Sequence, residues 1–519
     1  MRRIYMSISK IVQKTASRFL TGTLIVSIIL ILMPKGIMAQ VSEPPVHPNV
    51  VFIIIDDLRP DLNCYGTSIY GDNKLMQTPN IDKFAAGSVL FNNEYAVVPT
   101  CGPSRLALLT GMLPKNRAAL SNEACVSFLS NKPPSDTPRT FIADFKRQGY
   151  YTVGIGKISH YPDGYVYPYT AARKSNQLEL PYSWNEMLLD AGKWGTGWNA
   201  FFGYADGSNR TGRQGAVKPY ERGEVGDTGY VDGLTANLAV KTLDRLSEKD
   251  KPFFLAVGFF KPHLPLNAPK KYWDMYDEAK IGLTQSPDLP EHINKADLHG
   301  SFEFNFYKDG EEHPSLDKPV SGAYARRLRH AYYASVSYID AQVGKVLDEL
   351  KRLKLDKNTI VVLWSDHGWH LGDDRVWGKH TLFEYATRSV LIVKTPDMKR
   401  GEISRKIVSS VDVYPTLTEL CHLPVINHLD GSSFVPLLKD PGNKKWKDEA
   451  YSYYNMGISL RTQRYRLTKY FRKGKPTVEL FDHKYDPYEN ENVAAKHPKL
   501  VQRLLVQLEK GNTGLFEAQ

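Results

Sequence analysis

Residues 49–57 read "NVVFIIIDD", a short apolar run that ends in two adjacent carboxylates. A continuous apolar run of this length is the mark of a strand buried on both faces. Four more runs share the pattern: "YYTVGIGK" at 150–157, "PFFLAVGFFKPH" at 252–263, "NTIVVLWSDHG" at 358–368 and "SVLIVK" at 389–394. Helical patterns alternate with them. "TFIADFKRQG" (140–149) is closed by Gly149 as a C-cap, and from Arg326 to Leu353 apolar residues recur at helical spacing, read as core packing. This alternation predicts an α/β fold built on a large sheet sandwiched by helices. Ligand sites in such sheets lie beyond the carboxyl ends of the strands. Four of the five runs end there in a charged or metal-capable residue: Asp56-Asp57, Lys157, Lys261 with His263, and Asp366-His367.

The chain has 519 residues, which favours two domains or one large domain with an appendage. At 42% hydrophobic and 24% charged, it has the composition of a globular protein with a sizeable core. Residues 1–39 read as a signal peptide, with a basic start followed by the 14-residue stretch Leu20 to Met33. That stretch is short of the roughly 20 residues a spanning helix needs. Export to the periplasm or the medium is expected, with no stable membrane insertion after cleavage near Ala39. Losing this segment removes six basic and no acidic residues, lowering the formal charge from +11 to +5. With no concentrated Lys/Arg block, nucleic-acid binding is not indicated. The four cysteines, Cys64, Cys101, Cys125 and Cys421, match neither a disulfide framework nor a zinc site.

Between Tyr161 and Asp232 lies a Gly-, Tyr- and Trp-rich region without clean periodicity, containing the sequon Asn209-Arg210-Thr211. Stretches of this kind form cleft walls or surface insertions. After about Pro441 the texture changes to β-hairpin material and a closing helix, "HPKLVQRLLVQLEKG". The expected division is a catalytic domain over 45–440 and a smaller α+β subdomain over 441–519.

Paired carboxylates following an apolar strand are costly unless a cation offsets them. Asp56 and Asp57, with Asp366 and His367 at a second strand end, suit a hard divalent cation such as Ca2+ or Mg2+. The stretch Tyr95–Gly111, "YAVVPTCGPSRLALLTG", places Cys101 just before a helix that Pro103 starts and Gly111 ends. Helix N-termini attract anions, and Arg105 adds a forked set of donors. The same features would lower a thiol pKa, so a cysteine nucleophile stays open beside a plain anion site.

Cys101-Gly102-Pro103-Ser104-Arg105, completed by Leu109-Thr110-Gly111, resembles the sulfatase signature C-x-P-S-R-x-x-x-L-T-G. "IIIDDLRPDL", "VGIGK", "FFLAVGFFKPHLP", "YYASVSYIDAQVG" and "SDHGWHLGD" followed by Lys379 are similar to further blocks of that family, especially its iduronate-2-sulfatase-like branch. The resemblance implies an alkaline phosphatase-like fold with a mixed, mostly parallel sheet. It implies that a maturation enzyme converts Cys101 to formylglycine, whose hydrate is the nucleophile. It implies one Ca2+ held by Asp56, Asp57, Asp366, His367 and the modified Cys101, polarising the sulfate and keeping the nucleophile deprotonated. By the same resemblance Arg105 steadies the hydrate, Lys157 and Lys379 bind sulfate, and His263 protonates the leaving oxygen. His160, three residues after Lys157 as in the iduronate branch, and Trp369 and His370 are candidate substrate contacts. Where relatives carry "LGEHG", this chain has Leu371-Gly372-Asp373-Asp374-Arg375.

The expectation is an exported sulfuric ester hydrolase removing O-sulfate from a sulfated carbohydrate, with a 2-O-sulfated uronic acid as leaving group. The competing readings are a phosphodiesterase or phosphonate monoester hydrolase of the same superfamily, and a glycan-binding pseudo-enzyme.

Overall fold

All five apolar runs become strands of one sheet. They are β1 (Asn49–Ile55), β3 (Tyr151–Gly156), β5 (Phe253–Phe259), β6 (Thr359–Ser365) and β7 (Arg388–Lys394). Three strands without a clean apolar pattern complete it: β2 (Val89–Tyr95), β4 (Glu186–Leu188) and β8 (Glu402–Ser409). The computed structural model describes residues 47–66, 75–130, 132–170, 175–424 and 427–516; the segment read as a signal peptide lies outside them. In space the strands follow the order β8-β2-β7-β6-β1-β5-β3-β4. Neighbours pair in parallel except at β7, which runs antiparallel to both β2 and β6. The reversal puts the end of the fifth apolar run, Lys394, opposite the other four ends.

Strand side chains alternate between faces, so a strand covered on both sides needs apolar residues at every position. In β1, Val51, Ile53 and Ile55 join Leu255 and Val257 in one cluster, whereas Val50, Phe52 and Ile54 join Phe254, Ala256 and Trp364 in another. Two short helices cover that second face, α1 (Cys101–Thr110) and α2 (Phe141–Arg147). Gly149, at φ 91°, ends α2 in the left-handed conformation that glycine adopts without strain. The first face is covered by α3 (Val231–Ser247) and the 31-residue α4 (Gly322–Arg352). Among the described residues, no helix is long and apolar enough to cross a membrane.

The chain from Pro48 onward forms one compact unit, which includes a smaller antiparallel sheet near its C-terminus. Its strands are β9 (Glu449–Tyr454), β10 (Gly457–Thr462), β11 (Tyr465–Tyr470) and β12 (Val478–Asp482), with α5 (Pro498–Leu508) packed on one side. A buried ion cluster ties this sheet to the main body. Arg466 of β11 bonds Glu384, just before β7, at 2.5 Å and Glu489 at 2.6 Å, and all three side chains are at most 2% exposed. Arg461 adds a second contact to Glu384 at 3.0 Å.

Removing one partner of a buried ion cluster strands the opposite charges, at a cost of about 3–5 kcal/mol. Arg466→Met is expected to lower unfolding stability by that order in chemical denaturation. Arg464→Met, which breaks the partly exposed pair with Asp482, is expected to cost under about 1 kcal/mol.

Candidate active site

The carboxyl ends of β1, β3, β5 and β6 open onto one pocket. Asp57 follows β1 at φ 62°, a left-handed conformation that aspartate tolerates better than most residues. Its N–H donates to Asp366 Oδ1 at 3.1 Å, and its carbonyl accepts from the Tyr332 hydroxyl of α4 at 2.8 Å. Lys157 follows β3 through Gly156, at φ 76°, where a Cβ would stand 2.2 Å from the Gly258 carbonyl. Only glycine lets the two strand ends approach so closely. Asp366 and His367 leave β6, His263 lies beyond β5, and Lys379 comes from the loop between β6 and β7.

These groups form a buried ionic lattice. Arg105 of α1, fully buried, reaches Asp56 Oδ1 and Asp366 Oδ2, both at 3.0 Å, and donates to the Lys157 carbonyl at 2.6 Å. Lys157 Nζ contacts Asp56 Oδ2 at 2.5 Å, while Lys379 Nζ lies 3.0 Å from both Asp57 and Glu303. Burial acts to raise Asp56, yet Lys157 and Arg105 hold it well below the usual carboxylate range. Asp57 moves the other way. Burial pushes it well above that range, and the charges of Asp56, Glu303 and Asp366 add to the push against Lys379.

Cys101 is the first residue of α1, behind Thr100 in extended conformation. Gly102 is packed so tightly that a Cβ would sit 2.4 Å from the Asn122 carbonyl oxygen, which accounts for glycine inside the Cys-x-Pro pattern. Cys101 Sγ lies 3.4 Å from His367 Nε2 and 4.0 Å from Asp57 Oδ1. Burial and the Asp56 carboxylate push its thiol well above the ordinary value, which speaks against a thiolate nucleophile. Asp56, Asp57 and Asp366 each offer an oxygen within 4.8 Å of the others, and Asp57, Cys101 and His367 form an overlapping group. Three buried carboxylates, one of them pushed upward by burial and by its neighbours' charge, fit an oxygen-preferring divalent cation that would relieve their repulsion.

The pocket in front of Cys101 is lined by Asn122, Lys157, His160, His263, Glu303, Lys379, His380, Arg210 and a set of aromatic rings. His160 is 5% exposed, and neither ring nitrogen has a partner among the described residues. Trp369 and His370 stand outside the lining. His370 spends both nitrogens on the Asp373 carbonyl and the Thr381 hydroxyl, and Trp369 is buried with its ring 5.0 Å from Lys379 Nζ. Glu303, Arg210, Asn122 and His380 were not foreseen. They sit in loops without apolar periodicity, and the only sequence signal was the irregularity of the stretch carrying Arg210.

Glu303 changes how His263 is read. Nδ1 of His263 faces the Leu264 carbonyl at 2.7 Å, so it carries a hydrogen. Nε2 faces Glu303 Oε1 at 2.9 Å. A second ring proton would lie between Nε2 and the Glu303 carboxylate, but burial pulls the His263 pKa down to about 4, with Lys379 adding to the drop against the pull of Glu303. The two side chains stand side by side in the pocket wall.

Residues 48–423 match the Sulfatase family, and residues 372–513 match the family described as N-sulphoglucosamine sulphohydrolase, C-terminal. Iduronate 2-sulfatase of Mus musculus is 30% identical over 415 residues, covering 73% of this chain and 69% of that protein. Among solved structures, BT4656 in complex with its substrate D-glucosamine-2-N,6-O-disulfate aligns with a TM-score of 0.67 at 22% identity, covering 90% of this chain and 97% of its own. A phosphonate monoester hydrolase of Agrobacterium radiobacter aligns with a TM-score of 0.68, also at 22% identity, covering 89% and 95%. At that identity the two structures share the fold. The family match over most of the chain and the 30% identity to iduronate 2-sulfatase establish that the chain belongs to the sulfatase family and is a sulfuric ester hydrolase.

Proposed function

We propose that the enzyme removes the O-sulfate of a 2-O-sulfated uronic acid in a carbohydrate, after export and loss of residues 1–39. The observation that carries the reading is the position of Cys101 Sγ, at a helix start 3.4 Å from His367, in a pocket that Lys157 and Lys379 also line. The similarity to iduronate 2-sulfatase supports the uronate as leaving group. Residues 45–440 are assigned the chemistry and 441–519 a supporting role.

Oxidation of Cys101 to formylglycine by a maturation enzyme would supply an oxygen nucleophile, and Asp56, Asp57, Asp366 and His367 would hold the Ca2+ that would set a positive charge beside it. The chain's own residues do the rest. Lys157 and Lys379 are anchored by Asp56 and Asp57, so their charges stand in place before substrate arrives and receive the sulfate oxygens without reorganisation. Arg105 has no access to solvent; its bonds to Asp56 and Asp366 make it a positioning residue. His263, in the pocket lining with Nε2 2.9 Å from Glu303 Oε1, delivers a proton to the leaving sugar oxygen. A sugar alkoxide is a poor leaving group, so this proton matters more for carbohydrate esters than for aryl esters.

Three measurements test this reading. The first compares turnover of an aryl sulfate, an aryl phosphonate, an aryl phosphate diester and a 2-O-sulfated uronate disaccharide. Sulfate esters are expected to be turned over faster than either phosphorus ester, with all activity lost in Cys101→Ala; faster diester or phosphonate turnover overturns the reading. The second is His263→Gln, expected to cost about 10²- to 10⁴-fold in kcat on the sugar sulfate and much less on an aryl sulfate with a good leaving group. Equal losses on both would remove His263 from the proton-donor role. The third is calcium removal. Chelation is expected to abolish activity, and calcium added at about 100 times its Kd to stabilise the fold by about 2.7 kcal/mol; an unchanged Tm would show that the carboxylates hold no calcium.

A further inference from the structure

Arg210 lies in the pocket lining with its charge uncommitted. It sits at the end of a tight loop in which its N–H donates to the Phe202 carbonyl at 3.2 Å and its own carbonyl accepts from Gly215 at 2.9 Å. Its guanidinium carbon rests 3.7 Å from the centre of the Phe202 ring, with the Tyr307 ring at 5.2 Å and the Phe306 ring at 5.7 Å. Stacking of this kind fixes a guanidinium without neutralising it. The ion pair of this loop joins Arg213 to Asp206, and among the described residues no carboxylate lies within ion-pair distance of Arg210. The other charged groups of the lining are already engaged: Lys157 with Asp56, Lys379 with Asp57 and Glu303, and Glu303 with His263. The pocket therefore offers one held, unpaired cation apart from the sulfate-binding lysines.

We infer that Arg210 binds a second anionic group of the substrate, the carboxylate of the uronate ring that carries the scissile sulfate. The inference rests on the sulfated-carbohydrate reading above and adds the residue that would make the enzyme selective for an acidic sugar. Reach agrees with a single sugar ring: the Phe202 ring centre is 6.5 Å from that of His263 and 3.7 Å from the guanidinium carbon of Arg210. A carboxylate presents two coplanar oxygens, the geometry that a forked guanidinium pairs with best. Exposed aromatic faces flank the same opening, Tyr169 at 44%, Phe302 at 46% and Phe306 at 55%, and supply apolar surface for the C–H faces of a sugar.

The test is a ratio of kcat/KM for two substrates, a 2-O-sulfated uronate disaccharide and its carboxyl-reduced counterpart. The ratio cancels the fraction of each preparation that is folded and oxidised at Cys101. Wild-type enzyme is expected to prefer the carboxylate-bearing substrate by about ten- to a hundredfold, the value of one charge-assisted contact. Arg210→Met is expected to erase that preference and Arg210→Lys to retain part of it. No preference in wild type, or a preference untouched by Arg210→Met, overturns the role of Arg210 while leaving the sulfatase reading standing. Turnover of neither substrate by wild-type enzyme that still cleaves an aryl sulfate overturns both the uronate assignment and this one. If Arg210→Met instead lowers only the preference for a disulfated over a monosulfated sugar, the second anion is a sulfate and the carboxylate assignment is wrong.

Discussion

Arg105 spans the three elements on which the site depends. From the first turns of α1 it bonds Asp56 after β1 and Asp366 after β6, and it accepts no solvent in return. A fully buried guanidinium is tolerated only when its donors are matched, and here the carboxylates and the Lys157 carbonyl match them. The same bonds hold two carboxylates side by side at the end of a dry sheet. Burial, joined by the charges of those carboxylates, pushes Asp57 upward, which Lys379 offsets only in part. The geometry suited to a divalent cation thus follows from how the arginine is satisfied.

The lattice also sorts the cations of the pocket by task. Lys157 and Lys379 are pinned by the carboxylates they face, so their positions are set by the protein interior. Arg210 is pinned by aromatic rings, which hold a cation in place while leaving its charge free for a ligand. His263 belongs to neither group, because its Nε2 faces the Glu303 carboxylate at 2.9 Å. In the proposed mechanism, three ways of fixing charge serve three uses: receiving the sulfate, recognising the rest of the substrate, and supplying a proton.

Much of this was legible in the chain as letters. Apolar runs at 49–57, 150–157, 252–263, 358–368 and 389–394 became strands because a strand covered on both faces must be apolar throughout. The polar-edged strands β2 and β8 escaped notice because their burial comes from neighbours and not from their own pattern. Asp56, Asp57, Lys157, His263, Asp366 and His367 converge because the ends of parallel strands on one side of the sheet are brought together by topology, and Cys101 at the start of α1 and Lys379 from the loop between β6 and β7 join them there. Trp369 and His370 lie next to those residues in sequence yet outside the pocket, since His370 and Leu371 pair with Trp377 and Gly378 and both ring nitrogens of His370 are spent on internal bonds.

The sequence by itself determined the sheet, its liganding ends and the motif around Cys101, because period, composition and spacing are local properties of a chain. The tertiary structure alone decided that Glu303 faces His263, that Arg105 is a fully buried brace, and that Arg210 rests among Phe202, Phe306 and Tyr307 with no carboxylate partner among the described residues. These facts depend on contacts between segments tens to hundreds of residues apart, such as Glu303 with His263 and Arg105 with Asp366. Loop residues carry no periodic signal, so their roles appear only once packing has chosen their neighbours.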